Sequence, residues 1–164
     1  MSKIVHFTDF SLLPGAHNQH ERLNGWRLYN QYGGVSFPKH PKDDSKFVLY
    51  NNSNWGADLR PGIIMYKVIS GYAPGTQVKF LMSASYGSNN NPPRLSVRYG
   101  MQIVIPERRL TADFFNHVGE FVVEGDGVIL AIENAVAESA GNDLYISQLS
   151  ISVNDEEIND SASK

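Results

Sequence analysis

Apolar side chains alternate with polar ones over short stretches of this chain, and turn residues separate the stretches. Gly62-Ile-Ile-Met-Tyr-Lys-Val-Ile69 is an apolar run closed by Gly71 and Pro74-Gly75. Thr76 to Ala84 follows, with Val78, Phe80 and Met82 on one face. Period-two alternation bounded by Gly and Pro predicts half-buried strands rather than helices. The Pro-Gly between these two runs predicts either a hairpin or a short corner from one sheet to another.

Further strands are predicted over Arg94 to Gly100 (Leu95, Val97 and Tyr99 inward), Gln102 to Ile105, Gly119 to Glu124 and Val128 to Asn134. Glu124-Gly-Asp-Gly127 predicts a hairpin between the last two, because glycine readily takes the positive φ of such turns. Trp26 to Tyr29 and Lys46 to Tyr50 predict earlier strands, with Trp26 in the core, and Thr111 to His117 predicts a single helical turn. The final run carries apolar residues at Leu144 and Ile146, then at Leu149, Ile151 and Val153. A period of two cannot slip by one residue without sending later side chains to the wrong face, so a bulge is expected at Ser147-Gln148. About nine strands at this spacing predict an all-β fold, an antiparallel β-sandwich over residues 1–153, followed by a polar, acidic tail over 154–164.

Several of these segments, taken in order, resemble a known pattern: Asn24-Gly25-Trp26, the strand-turn Tyr66 to Thr76 with its Pro-Gly-Thr, and Gly141-Asn-Asp-Leu-Tyr-Ile leading into the last strand. They are similar to the galactose-binding-like jelly-roll domains, in particular carbohydrate-binding modules of the xylan- and cellulose-binding type. The resemblance spans roughly residues 4 to 153, nearly a whole domain. It implies a jelly-roll sandwich that binds a carbohydrate or glycoconjugate and catalyses nothing. In many relatives an aspartate just after the Tyr-Ile helps to hold a structural calcium between the chain ends. Here that position is Ser147, which leaves Asp9, Asp143 and backbone carbonyls as a sparse oxygen set for calcium.

Composition and charge narrow the partners. The net charge is −3 and the nearest thing to a basic cluster is Glu107-Arg108-Arg109, too small for nucleic-acid binding, which draws most of its affinity from a basic field. The absence of cysteine removes disulfides, thiolate metal sites and a cysteine nucleophile. The opening residues, Met1 to Phe10, contain no apolar signal-peptide core, and no window approaches a membrane span. The expectation is therefore no Sec signal and no membrane insertion, with a cytoplasmic location or export by a signal-independent route.

Candidate ligand-binding residues follow from sugar chemistry. A pyranose offers C–H patches to aromatic faces and hydroxyls to amides, carboxylates and guanidinium groups. Trp55, beside Asn54 in a polar loop, is either displayed to solvent or pinned at the core edge. Tyr86 precedes the amide-rich loop carrying Asn89 and Asn90, which reads equally as a solvated loop. Tyr32 lies near Gly33-Gly34. Arg94 and Arg98 alternate with core positions and so share the outer face of their strand, where they meet either a ligand or nearby acids.

Catalytic and metal motifs find little support. His17 and His20 with Glu21 lack the helical H-E-x-x-H spacing. Asp113 and His117 lack a nucleophilic serine in a G-x-S-x-G elbow. Glu107, Glu120, Glu124 and Glu133 would need to flank one cleft to hydrolyse a glycoside. Three functions remain: a carbohydrate-binding domain or lectin, whose avidity a homo-oligomer would raise; a protein-interaction or oligomerisation domain of a larger assembly with no sugar ligand; and a small glycan-processing enzyme, which no visible catalytic constellation supports.

Overall fold

The computed structural model describes residues 2–10, 23–29, 34–52, 61–138 and 140–154. Among them the chain forms thirteen strands and two packed antiparallel sheets. The first sheet runs β11 (Phe115–Val122), β8 (Gln77–Tyr86), β13 (Leu144–Asn154), β6 (Leu49–Asn52), β3 (Gly34–Ser36), with β1 (Ser2–Asp9) also on β13. The second runs β10 (Gln102–Arg109), β9 (Arg94–Tyr99), β12 (Val128–Asn134), β7 (Gly62–Ile69), β2 (Trp26–Leu28). A small hairpin, β4 (Lys39–His40) with β5 (Asp43–Phe47), precedes β6. The antiparallel β-sandwich expected from the alternation is present, with thirteen strands among the described residues instead of nine: β1, β3 and β4 are additional, and Lys46 to Tyr50 divides between β5 and β6.

The terminal strand bulges where expected. Its register against β8 shifts between Ile146 and Gln148. On its other side the partner changes at the same point: β6 pairs with Leu144 to Ile146, and β1 with Gln148 to Asn154. The bulge keeps Leu144, Ile146, Leu149, Ile151 and Val153 all buried, so one strand serves two neighbours without turning its core face outward.

Two connections join strands of different sheets, the first expected as a hairpin or a corner and the second as a hairpin. β7 and β8 lie in different sheets, so Pro74-Gly75 is a corner. β11 and β12 also lie in different sheets, so the Gly-Asp-Gly segment is a crossover and not a hairpin, although Gly127 does take a positive φ of 84°. Turn chemistry sets where the chain reverses; which sheet receives the next strand depends on its apolar partners. The helical turn expected over Thr111 to His117 is absent, because β11 begins at Phe115 and pairs along β8. Lys46 to Tyr50 is broken at Val48 between β5 and β6.

Rings join the two sheets. Trp26 is buried and its ring lies 6.0 Å from Phe80 across the sandwich, while Tyr99 stacks on Phe121 at 4.3 Å. At one edge β11 runs directly against β10: a Cβ on Gly119 would lie 1.8 Å from the Val104 carbonyl oxygen, so only glycine permits this approach. Two polar features interrupt the apolar interior. Lys67 pairs with Trp26 and Leu130 in the sheet and therefore points inward, where its Nζ donates to the Asn24 carbonyl at 2.8 Å. Burial pushes its amine below the ordinary lysine value. Asn134 donates to Asn142 Oδ1 at 2.8 Å and accepts from Val136 N at 3.0 Å, and Asn142 donates to the Val136 carbonyl at 2.9 Å, which fixes the loop leading to β13.

Candidate functional site

The outer face of the first sheet carries a row of rings. Tyr145 on β13 lies opposite both Tyr50 on β6 and Ser85 on β8, and paired residues share a face. Each outward position follows from alternation with a buried neighbour, Leu49 before Tyr50 and Leu144 before Tyr145. The two phenol rings stack at 4.8 Å and 28°. Phe114, just before β11, leans to within 6.5 Å of Tyr145, and His40 from the β4–β5 hairpin stacks on Phe114 at 4.5 Å. An ion pair between Lys42 and Asp113 ties the hairpin to the segment carrying Phe114. Four rings from four separate segments thus form one row. Ser85 is buried at its base, and its Oγ has no hydrogen-bond partner among the described residues.

The row is nearly uncharged at neutral pH. Tyr50 donates to Asp143 Oδ2 at 3.1 Å, and burial together with that carboxylate pushes the phenol up to about 12. Burial and Asp143 raise Tyr145 as well. Burial lowers His40, with Lys46 and Lys42 acting in the same direction against the opposing pull of Asp43, so the imidazole stacks as a neutral ring. Asp143 is the carboxylate at one end. The next row of the same face is polar, with Asn116, Ser83, Gln148 and Asp9 in register. Apolar ring surface beside phenol, amide and carboxylate groups suits a ligand with both C–H patches and hydroxyls.

Gly87 limits how the row ends. A Cβ there would fall 2.9 Å from Asp143 Cβ, 3.2 Å from Tyr50 Cε2 and 3.4 Å from Tyr145 Cε2. The loop after it is seated on the segment before β13. Gly87 N donates to the Asp143 carbonyl at 2.7 Å, and Asn91, at a φ of 48°, donates its side-chain amide to the Ala140 carbonyl at 2.9 Å.

A cleft of about 370 Å³ adjoins this loop. Tyr86, Asn89 and Pro92 line one side, and Arg109, Leu110, Thr111 and Ala112 the other. The structure thus brings together two of the sequence-based candidates, Tyr86 and Asn89. Asn90 is exposed, with its backbone carbonyl pressed against Gly141. Trp55, Asn54 and Tyr32 lie outside the described residues, as do His17, His20 and Glu21.

Arg94 and Arg98 face outward from the second sheet, as the alternation requires, but on the opposite side of the sandwich from the ring row. Arg94 pairs with Glu107 at 3.4 Å, and Arg98 lies across the strand from Ala131 with its Nε buried and unpartnered. Asp9 pairs with Gln148 on β13, and Asp143 lies just before that strand begins at Leu144. Among the described residues no three His, Cys, Asp or Glu side chains converge as a metal group. Asp113 pairs with Lys42 and not with His117, whose pKa is lowered by burial and by Arg108.

Sequence reasoning missed Tyr50, Tyr145, Phe114 and His40 as site residues. For the two tyrosines a signal existed, an aromatic at the outward position of an alternating strand. For Phe114 and His40 none did, since only the folded hairpin brings them to the row.

No family model and no curated protein matches the sequence. Solved structures do match. A sugar-binding protein, the EclA C-terminal domain, superposes with a TM-score of 0.59 at 18% identity, over 82% of this chain and 96% of that one. The CBM22-1 xylan-binding domain of Paenibacillus barcinonensis Xyn10C superposes at 0.61 with 12% identity, over 93% and 95%. A cyclase from Fischerella sp. TAU superposes at 0.54 with 12% identity, over 79% and 84%. The chain has the jelly-roll β-sandwich fold of carbohydrate-binding modules.

Proposed function

We propose that this domain is a non-catalytic carbohydrate-binding module that holds a glycan against the row Tyr50, Tyr145, Phe114 and His40. The observation that carries this reading is the row itself, four uncharged rings with Asp143 at one end and the amides Asn116 and Gln148 alongside. The likeness in fold to sugar- and xylan-binding domains supports it. Fold alone does not choose between binding and catalysis, since a cyclase shares the sandwich. The carboxylates favour binding: Glu107 pairs with Arg94, Glu124 accepts from Gln102 at 2.8 Å, Glu120 lies across from Lys79, and Glu133 sits on the second sheet. No two of these glutamates flank the ring row.

The test is a glycan array followed by calorimetric titration, with calcium and with a chelator. Neutral β-linked oligosaccharides such as xylohexaose should bind, and Tyr145→Ala should weaken them about 5- to 30-fold, the equivalent of roughly 1–2 kcal/mol of lost ring contact. Binding unchanged in Tyr145→Ala and Tyr50→Ala would remove the row from the site. Calcium dependence would point to a structural cation of the kind the resemblance implies.

One observation favours a second reading, a protein-interaction surface. Ile4, Phe7 and Val118 on the same outer face are 59%, 45% and 47% exposed, more apolar surface than a sugar requires. A stable oligomer or complex through these residues, with an empty glycan array, would select that reading.

A further inference from the structure

The cleft beside the Asn-rich loop carries a charge that the ring row lacks. Arg109 ends β10 opposite Arg94, and Glu107 offsets Arg94 at 3.4 Å. Arg109 has no acidic partner among the described residues, and no carboxylate lines the cleft. Asp113, the closest acid downstream, is held by Lys42. Arg109, with no ion-pair partner among the described residues to offset it, therefore lines a concave site together with Tyr86, Asn89 and Thr111, whose hydroxyl donates to the Asp113 carbonyl at 3.2 Å.

The cleft walls are tied on both sides. Leu110 N donates to the Pro93 carbonyl and Tyr86 N to the Thr111 carbonyl, each at 2.9 Å. Pro92 and Pro93 are buried, and Asn91 anchors the loop to Ala140. Such a site is formed before any ligand arrives, which lowers the ordering cost of binding. Its volume of about 370 Å³ lies at the small end of ligand sites, about 300–1,000 Å³, and suits a single sugar residue with its substituents.

We propose that this cleft is a subsite for a uronic acid, with Arg109 gripping the carboxylate, Tyr86 presenting its ring and Asn89 and Thr111 meeting hydroxyls. The guanidinium fork matches a planar carboxylate through two parallel hydrogen bonds. The cleft and the row share one connecting segment: Thr111 lines the first and Phe114 belongs to the second. A glycan chain on the row can therefore place an acidic branch or end in the cleft. This inference rests on the sugar-binding reading and adds the ligand class to it.

The experiment titrates the intact protein with xylohexaose, with a xylo-oligosaccharide bearing one glucuronic acid, and with a sulfated counterpart, at low and high salt. The glucuronate-bearing chain should bind roughly tenfold tighter than the neutral chain at low salt, a factor equal to about 1.4 kcal/mol. The preference should shrink at high salt, because a partly exposed ion pair is screened. Arg109→Gln should abolish it while leaving xylohexaose binding unchanged, and Arg94→Gln should preserve it. Free glucuronate should shift amide resonances at 86, 89 and 109–112 and leave those at 50 and 145 in place. Equal binding of acidic and neutral chains, or a preference that survives Arg109→Gln, overturns the uronate subsite and leaves the row standing. A preference for the sulfated chain overturns the carboxylate assignment. Binding of no glycan at all, with no shifts from glucuronate, overturns both readings.

Discussion

Replacing Gly87 with alanine tests whether the Asn-rich loop really is seated on the segment that starts the last strand. The added methyl would lie 2.9 Å from Asp143 Cβ and 3.2 Å from Tyr50 Cε2, against an optimum carbon–carbon separation of about 3.5–4.0 Å. The tyrosine ring can turn aside. Asp143 cannot, because its carbonyl accepts from Gly87 N at 2.7 Å and the preceding Asn142 is held by Asn134 and Val136. Something must move by roughly 0.6 Å on the contact distances above. Overpacking of this kind costs about 1–3 kcal/mol, offset by about 0.4–1 kcal/mol from the reduced freedom of the unfolded chain. A net loss of roughly 1–2 kcal/mol follows, or a fall in Tm of about 2–8 °C for a domain of this size.

Differential scanning calorimetry reads the loss, and an alkaline absorbance titration reads the second consequence. Turning the Tyr50 ring away from the Asp143 carboxylate should let the slowest-titrating phenol fall from about 12 toward the ordinary tyrosine range. Gly125→Ala is the control, since nothing lies within 4 Å of the added atom, and it should leave Tm unchanged or slightly raised. An unaltered Tm and phenol titration in Gly87→Ala would refute the seating of the loop and, with it, the rigid end of the ring row.

The remaining predictions concern the interior. Lys67→Met should raise stability by about 1–2 kcal/mol at neutral pH, because it replaces a buried amine with an apolar side chain of similar length. The lowered amine of Lys67 means the folded chain releases its proton before the unfolded one does, so wild-type stability should climb as pH rises from the folded value toward 10.5 and be lost as pH falls back through it. Urea melts from neutral to alkaline pH should show this climb in the wild type and a flatter profile in Lys67→Met, and a destabilised variant would contradict it. Asn134→Ala should cost roughly 3–5 kcal/mol, since it strands the Val136 backbone amide and the Asn142 side-chain Oδ1 in the interior. A loss under about 1 kcal/mol in a denaturant melt would mean that water replaces those bonds.

Much of the sandwich was legible along the chain, and for one reason: the face of a strand residue depends only on its neighbours two positions away. Val78, Phe80 and Met82, and likewise Leu95, Val97 and Tyr99, are buried as their alternation implied. The slip between Ile146 and Leu149 marked a bulge because no unbulged strand could bury both halves of the last run. Trp26, a core position by its place at the start of a strand, is buried. What the local pattern could not carry was partnership. The Gly-Asp-Gly segment has the chemistry of a hairpin, yet β11 and β12 part to different sheets, because pairing is decided by cross-strand packing over the whole strand.

The same limit governed the site. Tyr86 and Asn89 flank one loop start and meet in one cleft, since neighbours in sequence stay neighbours in space. The row of Tyr50, Tyr145, Phe114 and His40 draws on segments far apart, joined by the β6–β13 register and by a hairpin that crosses to Asp113. Arg109 looked like part of a weak basic cluster until folding gave Glu107 to Arg94 and left Arg109 beside the cleft. Which residues face outward is a matter of period two and belongs to the sequence. Which outward residues stand together is set by register between distant strands, and only the tertiary structure decides it.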